Sequence, residues 1–360
     1  MSSILKKVIR PEIQELVRIK DTFNDRYEYL RLDKNECLVP FDENLLDQFK
    51  QNILSQDLSG YPELEPLYRK LAQFLGVAKN QIFLTAGADI AIRSIFDACI
   101  ERQDNIVLHY PCYAMYEVYC RMYGAEIRDV PLRNWQVDID EMLNSVDSQT
   151  KMVAMENPNG YLGTKPSLPQ LERCASELCL KDILFLIDET YFYIENSHSK
   201  THELILKYPN VIITQTFSKS HGLAGLRMGY LIGSAELIEQ IARVRPMHEV
   251  SSLTARAAEW VLENPEILSR SQNLLLESKG YLKDKLGEIG IPMKETHANF
   301  ILLYLPDEGK TAGIAERLKV NRILIKSPFN LGAQKGWARA TVGSLDDSKR
   351  FINVLTKIFN

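Results

Sequence analysis

Thr216-Phe217-Ser218-Lys219-Ser220-His221-Gly222-Leu223-Ala224-Gly225-Leu226-Arg227-Met228-Gly229-Tyr230 follows directly on Val211-Ile212-Ile213, an apolar β-branched run of the kind that forms a buried strand. Hydroxyls, one lysine, glycines and one arginine are gathered into this one loop. A lysine at the end of a core strand is partly desolvated, which lowers its pKa and favours the free amine that Schiff-base chemistry needs. Thr216, Ser218 and Arg227 offer hydroxyl and guanidinium donors suited to a phosphate. Together they suggest an aldehyde cofactor that carries a phosphate. The bland alternative is a strand-to-strand connection whose lysine reaches solvent, and it would win for an isolated Ser-Lys pair. The length of the pattern and its position after a core strand weigh against it.

The chain of 360 residues is 45% hydrophobic and 25% charged, enough for one large domain and a smaller one. A formal charge of -4 and a pI near 6.0 leave no basic footprint for nucleic acid. The first ten residues contain no continuous apolar segment before a small-residue cleavage site. Apolar runs such as Phe300–Leu305 are too short to span a bilayer, so a cytoplasmic protein is expected. Cys37, Cys99, Cys112, Cys120, Cys174 and Cys179 lack paired spacing and read as reduced and structural. His198 and His202 lie four apart in a polar stretch, but two histidines without further ligands make a weak zinc site, and they read as solvated loop residues. No metal is expected.

Working outward, Pro11 introduces a helical pattern from Glu12 to Lys20. Apolar runs at 81–85, 105–109, 151–155 and 183–187 read as strands, separated by helical patterns such as Ala88, Ala91, Ile92, Ile95 and Phe96. Gly87 makes a tight turn that opens this helix, so that Gly87, Ala88 and Asp89 present backbone N–H groups to an anion. Asp188 ends the apolar strand 183–187, at the carboxyl end where α/β proteins bind ligands. Further helices are expected at 235–245, 251–262 and 264–288. After these the order is a strand at 299–305, a helix at 310–319, strands at 322–326 and 337–343, and a terminal helix, which suggests a smaller α/β domain.

Ser-Lys-x-x-Gly-Leu-Ala-Gly-Leu-Arg-x-Gly-Tyr closely resembles the lysine segment of fold-type-I pyridoxal-phosphate (PLP) enzymes, in particular aminotransferases similar to histidinol-phosphate aminotransferase. The resemblance runs from Asn35 to Gly343 with its motifs in family order. It implies an α/β fold with a mostly parallel central sheet, and three parts: 1–40 packing with the small domain, 41–260 binding PLP, and 261–360 forming the small domain. It also implies that Lys219 carries the cofactor, that Asp188 pairs with the ring nitrogen and that Tyr191 contacts the phenolic oxygen. Thr216, Ser218, Arg227 and the Gly87-Ala88-Asp89 turn would hold the phosphate. Tyr113, in Pro111-Cys112-Tyr113-Ala114-Met115-Tyr116, would stack on the ring.

Gly60-Tyr61-Pro62 is similar to the segment in which a tyrosine reaches the cofactor phosphate of a neighbouring subunit, implying a homodimer with shared active sites. Packing within a local turn is the alternative for Tyr61. Arg339 is similar to the family arginine that holds a substrate carboxylate or phosphate. Lys326 stands where a second phosphate-binding arginine is usual, and Asn35 belongs to a partial match to Leu-x-x-Asn-Glu-Asn-Pro. The chain departs from the family at Glu156-Asn157-Pro158-Asn159-Gly160-Tyr161-Leu162-Gly163, where relatives carry Pro-Asn-Asn-Pro-Thr-Gly and use the second asparagine on the phenolic oxygen. Gly160 stands at that asparagine's place, so either Asn159 takes the role after a small backbone shift, or the bond is absent. The implied activity is transfer of an amino group between an amino acid, or an amino phosphate such as histidinol phosphate, and a 2-oxo acid by a ping-pong cycle. Decarboxylation of an O-phospho amino acid stays open as an alternative, and a non-catalytic binding protein is a third.

Overall fold

The computed structural model describes residues 3–17, 25–195, 200–305, 308–326, 329 and 335–359. Its strands in chain order are β1 (Leu30–Leu32), β2 (Ile82–Thr85), β3 (Asn105–Tyr110), β4 (Glu126–Pro131), β5 (Thr150–Glu156), β6 (Leu184–Asp188), β7 (Val211–Thr216), β8 (Gly229–Gly233), β9 (Met293–Lys294), β10 (Phe300–Tyr304), β11 (Ile323–Ile325) and β12 (Trp337–Thr341). Seven of them form the central sheet in the order β2-β8-β7-β6-β5-β3-β4. β4, β3, β5, β6 and β7 run parallel, and β8 runs antiparallel to both of its neighbours.

Continuous apolar runs such as Phe185-Leu186-Ile187 suit a parallel sheet because both of its faces are covered. Helices Glu65–Leu75, Leu168–Cys179 and Ser252–Glu263 bury Leu71, Cys174 and Ala258 against one face. Helices Ala88–Cys99 and Ala114–Tyr123 bury Ile95, Phe96 and Tyr116 against the other. Each such aliphatic or aromatic side chain contributes about 1.5–3 kcal/mol. A carboxylate at the end of one of these strands is costly to bury unless hydrogen bonds meet it.

The remaining strands lie outside this sheet. β12, β10 and β9 form an antiparallel sheet, and β1 pairs in parallel with β11. Leu30 and Leu32 of β1 share a core with Leu282 of the long helix Glu266–Glu288, Ile301 of β10 and Leu355 of the terminal helix Leu345–Phe359. The N-terminal strand is thereby tied to the C-terminal third of the chain. A boundary at 260 would cut the helix Ser252–Glu263, which packs its buried residues with the large sheet's core.

Two local expectations fail. The helix expected from Glu12 to Lys20 is only Pro11–Gln14, followed by a bend at Glu15, and Lys20 lies outside the described residues. His202 is buried, not solvated: it lies within hydrogen-bond distance of the Leu75 carbonyl and of Gln215 Nε2, while His198 lies outside the described residues. Among the described residues no group of three His, Cys, Asp or Glu side chains gathers to hold a metal, and no helix is long and apolar enough to cross a membrane.

Candidate active site

The parallel strands end together on one side of the sheet, and each delivers a polar residue there. β3 leads to Tyr113, β5 ends in Glu156, β6 in Asp188 and β7 in Thr216, followed by Ser218 and Lys219. These residues open onto a cavity of about 670 Å³, whose opposite wall is made by Asn35, Lys326 and Arg339. The site therefore lies where the large sheet meets the C-terminal strands.

Lys219 is half-buried, and its Nζ donates to the Lys34 carbonyl at 3.1 Å and sits 5.5 Å from the centre of the Tyr191 ring. Asp188 is buried, with Oδ2 accepting from the Tyr116 hydroxyl at 3.1 Å and Oδ1 from the Thr190 N–H at 3.0 Å. Burial pushes its carboxyl up, against these hydrogen bonds. Both bonded partners are neutral, so the anion suits a cationic group bound in the cavity. Tyr191 accepts from Asn35 Nδ2 at 2.9 Å, and Asn35 is itself fixed through Thr341 and Asn299.

A cradle whose donors suit an anion is built around Arg227. Gly87 caps the helix Ala88–Cys99 with φ +87° and no side-chain hydrogen bond, so Ala88 and Asp89 bring the first turn's amides to the cavity wall. A Cβ on Gly87 would lie 2.6 Å from an Arg227 guanidinium nitrogen, and a Cβ on Gly229 would lie 2.6 Å from the Ala88 amide nitrogen. Only glycine lets the two halves of the cradle approach this closely. Thr216 Oγ1 donates to the Met228 carbonyl at 2.8 Å and lies 3.0 Å from Ser218 Oγ, which ties β7 to the arginine segment.

Arg339 of β12 is largely buried and donates to the Gly160 carbonyl at 2.6 Å and the Asp33 carbonyl at 3.3 Å. Its Nε has no hydrogen-bond partner, and a guanidinium with donors left over at a cavity wall suits a carboxylate or phosphate. Lys326 is exposed, with its backbone bridged to that of Arg339.

One residue stands elsewhere than the sequence implies. Asn159 is completely buried: Nδ2 donates to the Pro111 carbonyl and Glu156, and Oδ1 accepts from the Tyr161 and Leu162 amides. Its amide is fully engaged in shaping the turn and does not line the cavity. Nor could position 160 take a larger side chain freely, since a Cβ there would lie 3.0 Å from the Tyr191 ring. Tyr61 is 84% exposed, stacks on His248 at 4.5 Å, and does not enter this chain's cavity.

Glu156 is a cavity residue that motif reading passed over. The available signal is a charge closing the otherwise apolar run Met152–Met155 at a strand's carboxyl end. Tyr116 was legible as a motif tyrosine, but its bond to Asp188 becomes visible only in three dimensions.

Residues 27–355 match the family model for aminotransferase class I and II. The chain belongs to this family. It is 30% identical over 306 residues to histidinol-phosphate aminotransferase of Brevibacillus brevis, covering 84% of this chain and 83% of that one. To the enzyme of that name from Clostridium kluyveri it is 27% identical over 360 residues, covering 99% of each. The crystal structure of histidinol-phosphate aminotransferase from Sinorhizobium meliloti in complex with pyridoxal-5'-phosphate has the same fold, with a TM-score of 0.88 at 21% identity, covering 98% of this chain and 97% of that one. This class I and II aminotransferase is a PLP-dependent transaminase of fold type I. The cradle, the buried Asp188 and the cavity-facing Lys219 fit that cofactor.

Proposed function

We propose that the cavity transfers amino groups between an amine bearing an anionic group, such as an amino acid or histidinol phosphate, and a 2-oxo acid, in a ping-pong cycle. The observation that carries this reading is that Lys219, Asp188, the Arg227 cradle and Arg339 open onto one cavity. Bound PLP supplies an electrophilic carbonyl and a ring that withdraws electrons from the substrate Cα. Lys219 Nζ holds the cofactor at rest and, once released, moves the proton taken from Cα. Asp188 keeps a proton on the ring nitrogen. The Ala88 and Asp89 amides, Thr216, Ser218 and Arg227 take the phosphate. Tyr113 would cover a face of the ring, and Tyr191, steadied by Asn35, would serve its phenolic oxygen. Arg339 takes the substrate carboxylate, with Lys326 as an added charge at the mouth.

Tyr61, which does not line its own cavity, is assigned to the active site of a second subunit, which makes the enzyme a homodimer. We further read the protein as cytoplasmic, with residues 1–40 joining the C-terminal domain and the large domain ending after the helix Ser252–Glu263. The direct test is incubation of the PLP-loaded protein with histidinol phosphate and 2-oxoglutarate. Formation of the keto product and glutamate is expected, whereas carbon dioxide release without amino transfer would reject the proposal.

A further inference from the structure

β5 and β6 run parallel with Glu156 and Asp188 as direct neighbours, so two buried carboxyls stand side by side at the carboxyl edge of the sheet. Asp188 faces the cavity as the partner of the ring nitrogen, but the mechanism above leaves Glu156 without a part. Its side chain is heavily engaged. Oε1 accepts from the Tyr113 amide, while Oε2 accepts from the Gly160 amide at 2.7 Å and from Asn159 Nδ2 at 2.8 Å. One carboxyl thus joins the segment that presents the ring-stacking tyrosine to the turn that replaces the family's asparagine with Gly160.

We propose that Glu156 is a positioning residue of the cofactor site, a buried carboxyl that fixes Tyr113 and the Asn159–Gly160 turn beside Asp188 and couples its own proton to the bound group. The inference rests on PLP occupying the cavity. Three N–H donors favour the carboxylate, yet burial, and after it the adjacent Asp188, push Glu156 up to about 8. The surrounding elements offer little to oppose this. Arg339 of β12 favours the Glu156 anion, whereas Cys112 and Tyr116 become like charges if ionised. His109 of β3 is held neutral by burial, with its Nε2 accepting from the Glu156 amide. Burial raises Asp188 as well, so the two neighbouring carboxyls resist ionising together, and the hydrogen bonds from Thr190 and Tyr116 favour the anion on Asp188. Raising the pH adds a second negative charge against the cofactor, and the two sites titrate as a coupled pair.

The test is a pH titration of cofactor absorbance in the resting, PLP-loaded wild type and in Glu156→Gln and Glu156→Asp, with no substrate present. The wild type is expected to give a curve broader than one proton, with an inflection near pH 8. Glu156→Gln should remove the upper step and leave a single transition, because the second carboxyl titrating beside Asp188 is gone, and Glu156→Asp should restore a second step. If Glu156→Gln does not fold, the wild-type and Glu156→Asp curves still decide. A wild-type curve of one proton, or a Glu156→Gln curve superimposed on the wild type even with weaker PLP binding, would leave Glu156 a purely structural residue and overturn the proposal. A protein that takes up no PLP would instead reject the cofactor reading itself.

Discussion

Arg339 holds the Gly160 carbonyl with one arm of its guanidinium and keeps a buried Nε without a partner. A lysine there keeps the charge but cannot hold both Gly160 and a substrate carboxylate in one plane. Loss of one charge-assisted hydrogen bond is worth about 1.5–3 kcal/mol, so Arg339→Lys is expected to lower kcat/KM about 10- to 100-fold, read by steady-state kinetics. On the proposed roles, Lys219→Ala removes both the covalent attachment and the proton carrier, and should cost at least about 10³-fold in kcat while PLP remains bound through its phosphate. Buried histidines give a pH signature. Burial lowers His109 and His221 from 6.5 to about 4, so the unfolded chain takes up protons that the folded one refuses. Their contribution to stability is present above 6.5 and is lost as the pH falls through 6.5 toward 4, which thermal melts of the apo-protein should show. Glu156 has the opposite sign: its folded value of about 8 exceeds the ordinary 4.5, so its contribution is present below 4.5 and is lost as the pH rises toward 8.

Among the elements, the turn from β2 into the helix Ala88–Cys99 and the start of β8 form one unit, because Thr85 and Gly229 are paired across the sheet. Gly229→Ala drives a methyl into the Gly87–Ala88 backbone, and overpacking of this kind costs about 1–3 kcal/mol. Weaker PLP binding and a lower melting temperature are expected, measured by cofactor titration and calorimetry. Much of this unit was readable beforehand, since Gly87 opening a helix and the run ending in Lys219 each carry local backbone or hydrogen-bonding logic. Long-range packing was not readable. Asn159 looked available for the phenolic oxygen, yet four hydrogen bonds within its own turn and to Pro111 and Glu156 engage it, and the Tyr191 ring crowds position 160. The role of Glu156 is not legible in the sequence for the same reason: its three N–H partners come from two separate segments brought together by the fold. The helix after Pro11 stops early because none of its residues is buried, and propensity alone seldom sustains a short helix.

At the scale of the molecule, the cavity lies between the large sheet and the C-terminal strands, and β1 ties the Asn35 segment to β11. The proposed second subunit rests on Tyr61, which lies exposed beside His248 and does not line its own cavity. Light scattering should give twice the mass of one chain, and Tyr61→Phe should weaken PLP binding. Mixing inactive Lys219→Ala with Tyr61→Phe should recover activity in heterodimers that hold one intact site. The measurement that reaches the central claim most directly is the absorbance of the PLP-loaded protein during addition of single amines, with keto acid and carbon dioxide assayed in the same samples. Transamination predicts that the lysine-linked band falls as keto acid appears and returns when a 2-oxo acid is added. Carbon dioxide release without keto acid, or a band that no amine alters, would contradict it.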